Sequence, residues 1–200
     1  MPVTNLFINS IMQVILFTII PLIWWLVFWR KKEPFLKWLG FKKIKIENRI
    51  RFAIIFIVTI ISLSLQILII PYIINIEILA AYQFYHLGVK ALVPAFIYAF
   101  IQTGLSEEIF FRGFLTKRLI NKFGFQIGNA FQGLLFGLIH GLMLKPNILG
   151  VIVIILSTGI TAWLTGWINE KEANGSILPS WLLHGYLNFA SSIFMMFNLY

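Results

Sequence analysis

The chain contains no cysteine and no aspartate. The first absence excludes disulfides, thiolate nucleophiles and cysteine-ligated metal sites. The second leaves all carboxylate chemistry to seven glutamates, and only three histidines, His86, His140 and His184, accompany them. Charge of either sign is also scarce. Only 12% of the 200 residues are charged and 60% are hydrophobic, whereas a soluble domain carries about 25% charged residues. Such a chain lacks the polar surface to cover itself, so its solvent is lipid. No low-complexity linker and no internal repeat is present, and the inverted repeats of many transporters are therefore not visible. The net charge of +9 does not mark a nucleic-acid surface, because nine of the sixteen basic residues fall within residues 30–51, against only Glu33 and Glu47. A basic block of that kind is a loop obeying the positive-inside rule.

What the sequence does contain is apolar runs. Crossing the hydrocarbon core takes about 20 residues of helix, and six stretches are candidates, at about 6–29, 54–74, 91–119, 130–144, 148–168 and 177–199. The expected fold is an all-α polytopic bundle, with residues 1–90 forming two N-terminal spans around the basic loop and residues 91–200 forming the functional core. Pro21 and Pro71 are expected to bend the first two spans. The first run has no basic n-region and no small-residue cleavage site, so it reads as a retained span rather than a signal peptide. The basic residues of 30–51, the cluster Lys117, Arg118 and Lys122, and the polar turn at 169–176 fall on one side of an alternating chain. That side is expected to be the cytoplasm, with both termini outside, in a multi-pass cell-membrane protein. Phe35, Leu36, Trp38, Leu39 and Phe41 suggest that part of the basic loop lies on the bilayer surface. Lys145-Pro146-Asn147 reads as a short turn.

Ionisable residues inside spans are costly and are functional candidates by default. Glu107 and Glu108 lie in the third span. Glu108 and Arg112 are four apart and can pair on one helix face; Glu107 points away and has no local partner, which suits a general acid or base. His140 sits in the fourth span beside Gly133, Gly137 and Gly141, a smooth strip that lets another helix approach closely. In the last span, His184 and Asn188 share a face. Each group alone is open to a bland reading, as a buried Glu–Arg clamp or as a histidine bonded to a neighbour. His86, in a loop with tyrosines, is assigned no role. At the helical rise, Glu107 lies roughly 15 Å from Lys117, His184 roughly 12 Å from Ser176 and His140 roughly 16 Å from Asn129. All three reach one level if polar 126–129 stays at the interface.

The motifs Glu107-Glu108-x-x-x-Arg112, Phe136-x-x-x-His140 and His184-x-x-x-Asn188, in this order and each inside a span, resemble the CPBP family of membrane proteins. That family includes CAAX prenyl endopeptidases of the Ras-converting-enzyme type and bacterial relatives linked to bacteriocin self-immunity, called the Abi family. The resemblance covers about residues 91–198. It implies a helical core whose site opens toward the cytosol and hydrolyses a peptide bond of a membrane-associated protein or peptide. By motif, Glu107 and His140 would activate water, His184 and Asn188 would stabilise the oxyanion, and Glu108 would brace the site through Arg112. No cofactor is favoured. Under the metalloprotease label sometimes attached to the family, Glu107, His140 and His184 would supply three zinc ligands. Two other classes compete: a non-catalytic immunity or scaffold protein that uses the same cavity to hold a peptide or partner, and a small transporter. Lipid and a membrane-anchored substrate are the partners implied, and nucleic acid is not.

Overall fold

The computed structural model describes residues 3–144 and 147–200. Of the turn expected at Lys145-Pro146-Asn147, the first two residues lie outside the described residues. The order is α1 (Val3–Phe28), α2 (Phe35–Leu39), α3 (Arg49–Ile73), α4 (Gly88–Phe123), α5 (Phe125–Leu144), α6 (Ile148–Glu172) and α7 (Leu178–Met196). Short 3-10 turns at Ile76–Ile78 and Ala80–Phe84 join α3 to α4, and no strand occurs among the described residues. Five helices, α1, α3, α4, α5 and α6, are long and apolar enough to cross a membrane. The sixth expected span is also a helix, α7, but Ser180, His184, Asn188 and Ser192 leave it too polar to meet the same test. The chain is a multi-pass membrane protein.

Local chemistry sets the element ends. The Asn48 side chain accepts from Arg51 N at 2.9 Å to start α3, and Asn147 accepts from Gly150 N at 2.8 Å to start α6, each satisfying a free helix donor. Gly40 closes α2 with a φ of +102°, a left-handed conformation that favours glycine. Pro21 and Pro71 lie inside α1 and α3 without ending them.

Packing follows membrane rules. Large apolar residues face outward, with Val27 at 65% exposure, Leu142 at 61% and Ile148 at 82%. Small residues hold the helices together. A β-carbon at Gly133 would sit 2.9 Å from the carbonyl oxygen of Gly159, and one at Gly137 would collide with that of Ile155. The strip anticipated on α5 is thus the surface on which α6 rests. The segment expected on the bilayer surface is instead docked into the bundle through part of its apolar face. Trp38 and Leu39 of α2 are buried among Ile109, Phe114 and Trp25, while Leu36 faces outward.

Helix α4 is not a regular α-helix. It is wound in the wider i→i+5 form over Ile97–Leu105 and Glu108–Thr116, and Thr103 and Thr116 each bond a carbonyl five residues back. Such turns are uncommon and are concentrated at functional positions. Here they bracket Glu107 and change which side chains share a face.

Candidate active site

A cavity of about 570 Å³ opens between the helices, and Glu107, His140, His184 and Asn188 all line it. Helices α4, α5 and α7 therefore deliver their polar residues to one space. The Nε2 atoms of His140 and His184 lie 3.9 Å and 3.8 Å from Oε2 of Glu107. That oxygen is buried and has no hydrogen-bond partner among the described residues. An unsatisfied buried oxygen costs free energy unless something occupies the space before it.

The other face of each imidazole is committed. Nδ1 of His140 bonds the carbonyl oxygen of Phe136 at 2.9 Å. A carbonyl only accepts, so this nitrogen carries the hydrogen. Nδ1 of His184 bonds Oε1 of Glu108 at 3.2 Å, and a carboxylate assigns the hydrogen in the same way. When each ring carries only its Nδ1 hydrogen, its Nε2 is an acceptor beside Glu107. Two acceptor nitrogens then lie near the Glu107 oxygen, and a water molecule, which brings two hydrogens, is the natural complement.

Glu108 is fully buried and belongs to a separate network. Ser180 donates to its Oε2 and His184 to its Oε1. Arg112 stands at 3.6 Å through Nε, close enough for an ion pair but beyond a hydrogen bond. The Glu108–Arg112 pairing expected from the spacing of four is present as an ion pair rather than a hydrogen bond. Arg112 instead donates to Thr165 Oγ1 at 3.3 Å and lies over the Phe136 ring at 4.3 Å. Asn188 donates to Thr103 Oγ1 at 2.8 Å, which leaves its second amide hydrogen for the cavity.

Some of these partners were not anticipated. Ser180 lies four residues before His184 and eight before Asn188, so one face of α7 carries all three, and the helical repeat contains that signal. Thr103 and Thr165 give no such signal. The motifs and the resemblance they carry leave out the first two spans, yet Gln13 and Gln66 line the cavity. Gln13 bonds Ser106 and Gln102, each at 3.3 Å, and Gln66 bonds Thr161 at 2.6 Å. Each is an amide in an apolar span, the kind of residue that deserves scrutiny in lipid.

Zinc was tested against the same trio. Tetrahedral zinc with ligand distances of about 2.0–2.1 Å requires its donor atoms to be roughly 3.4 Å apart. The two nitrogens lie 3.9 Å and 3.8 Å from Glu107 Oε2, and no group of three or more such side chains among the described residues is disposed to hold a metal. The trio as it stands does not fit the ion.

Residues 89–190 match the family model of the Rce1-like type II CAAX prenyl endopeptidases. No match is found among curated proteins or among solved structures. The matched segment is half the chain and contains all three motif groups, from Glu107 on α4 through His140 on α5 to Asn188 on α7. The chain belongs to the Rce1-like family of type II CAAX prenyl endopeptidases.

Proposed function

We propose that the protein is an intramembrane endopeptidase that hydrolyses a peptide bond of a membrane-associated protein or peptide, with glutamate-activated water as the nucleophile. Family membership supports intramembrane proteolysis in general. The observation that carries the finer reading is the unpartnered Oε2 of Glu107 facing two imidazole nitrogens. A water seated there donates one hydrogen to Glu107 and the other to His140 or His184. Its lone pair is then directed at an incoming carbonyl carbon.

As the new C–O bond forms, Glu107 takes the proton and the carbonyl electrons move onto oxygen. The free amide hydrogen of Asn188 stabilises that oxyanion. His184 joins as a donor only when it is protonated, because its Nδ1 hydrogen is held by Glu108. On collapse the C–N bond breaks, and Glu107 returns the proton to the leaving amine. The Glu108–Ser180 bond fixes the ring of His184 and so acts through it. A second groove, about 470 Å³ and apolar, runs from Leu16, Phe17 and Ile20 of α1 to Glu107 and His140. It suits the apolar part of a membrane-anchored substrate, whether of CAAX type or bacteriocin-related.

The test compares the protein termini of cells carrying the wild-type chain with those of cells carrying Glu107→Gln, at matched membrane levels. New termini in the wild type alone support the enzyme. Identical termini, with the cellular phenotype intact in both, support the immunity or scaffold reading. The absence of a required metal is tested separately. Zinc at about one per chain, lost together with activity on chelation and restored on addition, would replace the direct mechanism with a metal-assisted one.

A further inference from the structure

A second polar cavity, of about 200 Å³, lies at the basic end of the bundle and shares no lining residue with the first. Lys37, Lys42, Lys117 and Arg118 line it, against the carboxylates Glu33 and Glu170. Both carboxylates are engaged, Glu33 with Lys37 at 3.2 Å and Glu170 with Lys117 at 2.6 Å. Lys42 and Arg118 have no ion-pair partner among the described residues. The charges are packed closely, since a β-carbon at Gly175 would be 3.2 Å from both the Lys42 and Lys117 ammonium nitrogens and 3.5 Å from Oε2 of Glu170.

The aromatic wall adds unsatisfied donors. The Arg118 guanidinium lies over the Trp38 ring at 4.3 Å. Its Nε and Nη1 are buried without an acceptor, and so is Nε1 of Trp38, a side chain only 4% exposed. Buried donors without acceptors and unneutralised cations impose separate costs. One anion with several oxygens removes both. The cavity is not an accident of a loose loop. Ser176 donates to the Lys42 carbonyl at 2.8 Å, Ile177 N to that of Gly40 at 3.1 Å, and Lys117 to that of Gly175 at 2.8 Å.

We infer that this cavity binds the phosphate of an anionic lipid headgroup. A free phosphate offers the same oxygens, but nearby surface favours the lipid. Val27 and Phe28 near the end of α1 and Leu36 of α2 are 65%, 55% and 61% exposed, so apolar surface for acyl chains adjoins the charged pocket. Basic pockets between membrane helices recognise phospholipid headgroups by this pairing of charge and apolar contact. The volume equals that of roughly seven liquid waters, room for a phosphate and the glycerol it esterifies.

The inference is tested by titrating the purified, detergent-solubilised chain with phosphatidylglycerol or phosphatidylcholine and counting bound lipid by native mass spectrometry. One phosphatidylglycerol per chain is expected, retained at least about tenfold better than phosphatidylcholine. Arg118→Gln and Lys42→Gln should each weaken it about fivefold. Trp38→Phe, which keeps the ring and removes the N–H, should weaken it to a similar extent. Lys31→Gln, an exposed lysine outside the cavity lining, should change it less than twofold. Monodisperse elution qualifies each variant, and any one qualified member of the first three suffices for the comparison. Equal retention of the two lipids, or equal losses in Lys31→Gln and Arg118→Gln, would overturn the site in favour of diffuse attraction. Displacement by millimolar inorganic phosphate would overturn the lipid assignment.

Discussion

Helices α1 and α5 solve the same problem in opposite ways. Helix α1 buries only Leu6, Ser10 and Pro21 along its length and exposes its aliphatic residues to lipid. Helix α5 buries Gly128, Asn129, Gln132, Gly133, Phe136, Gly137 and Gly141, while Phe131, Leu134, Leu142 and Met143 face outward. Its interior is small and polar and its exterior is large and apolar. In lipid the hydrophobic effect does not drive helices together, so close backbone approach and amide hydrogen bonds do that work. Gln132 and Asn129 bond the carbonyls of Ala162 and Trp163 at 2.8 Å and 2.9 Å, which fixes α5 on α6 and holds His140 in the cavity. The outer helix has no comparable anchorage and reaches the cavity's polar network through Gln13.

This contrast predicts a hierarchy of losses. The largest belongs to the core: Glu107→Gln and His140→Ala should each reduce cleavage by about 10²–10⁴-fold, the range of a positioned acid–base group, with normal membrane insertion. Single-turnover cleavage of an identified substrate measures it. A loss under tenfold for Glu107→Gln would remove that residue as the base.

The next largest concerns stability. Glu108→Leu strands the buried Arg112 beside an apolar side chain and should cost about 3–5 kcal/mol. Glu108→Leu combined with Arg112→Leu should recover most of that loss, because no charge is then left unpaired. Denaturation in one detergent measures both. A double variant no better than the single would mean that Ser180 and His184, not charge balance, carry the stability. Ser180→Ala deletes one bond to a charged group and should cost about 1.5–3 kcal/mol.

Much of this core was legible in the sequence because ionisable residues in apolar runs stand out by their cost. Glu107, His140 and His184 were singled out on that basis and Asn188 by the face it shares with His184, and the structure brings all four to one cavity. The glycine strip of α5 was readable because a repeat of four is a property of the regular helix. The Glu108–Arg112 pairing was legible in its spacing of four and appears as an ion pair, but its length was not, since the same arithmetic assumes regular winding and α4 departs from it on both sides of Glu107. The docking of α2 was hidden for a different reason. Trp38 and Leu39 suit a bilayer surface and a protein interior equally well, and only the partners on α4 decide between them.

The smallest predicted effect tests whether the outer helix belongs to the chemistry. Gln13 donates to Ser106 Oγ at 3.3 Å and accepts from Gln102 at the same distance, and both are neighbours of Glu107 in α4 rather than reacting groups. Its contacts are long and neutral, so Gln13→Leu should cost about 0.5–1.5 kcal/mol of stability. Cleavage should fall by less than tenfold. The leucine leaves Ser106 its bonds to the Gln102 and Thr103 carbonyls, so α4 keeps its winding. The discriminating measurement is the separation of kcat from KM. A substrate that reaches Gln13 in the polar cavity raises KM in the variant and leaves kcat unchanged, because uniform binding is lost without loss of transition-state stabilisation. A fall in kcat comparable to that of His140→Ala would place Gln13 in the reacting network and erase the division between outer helix and core.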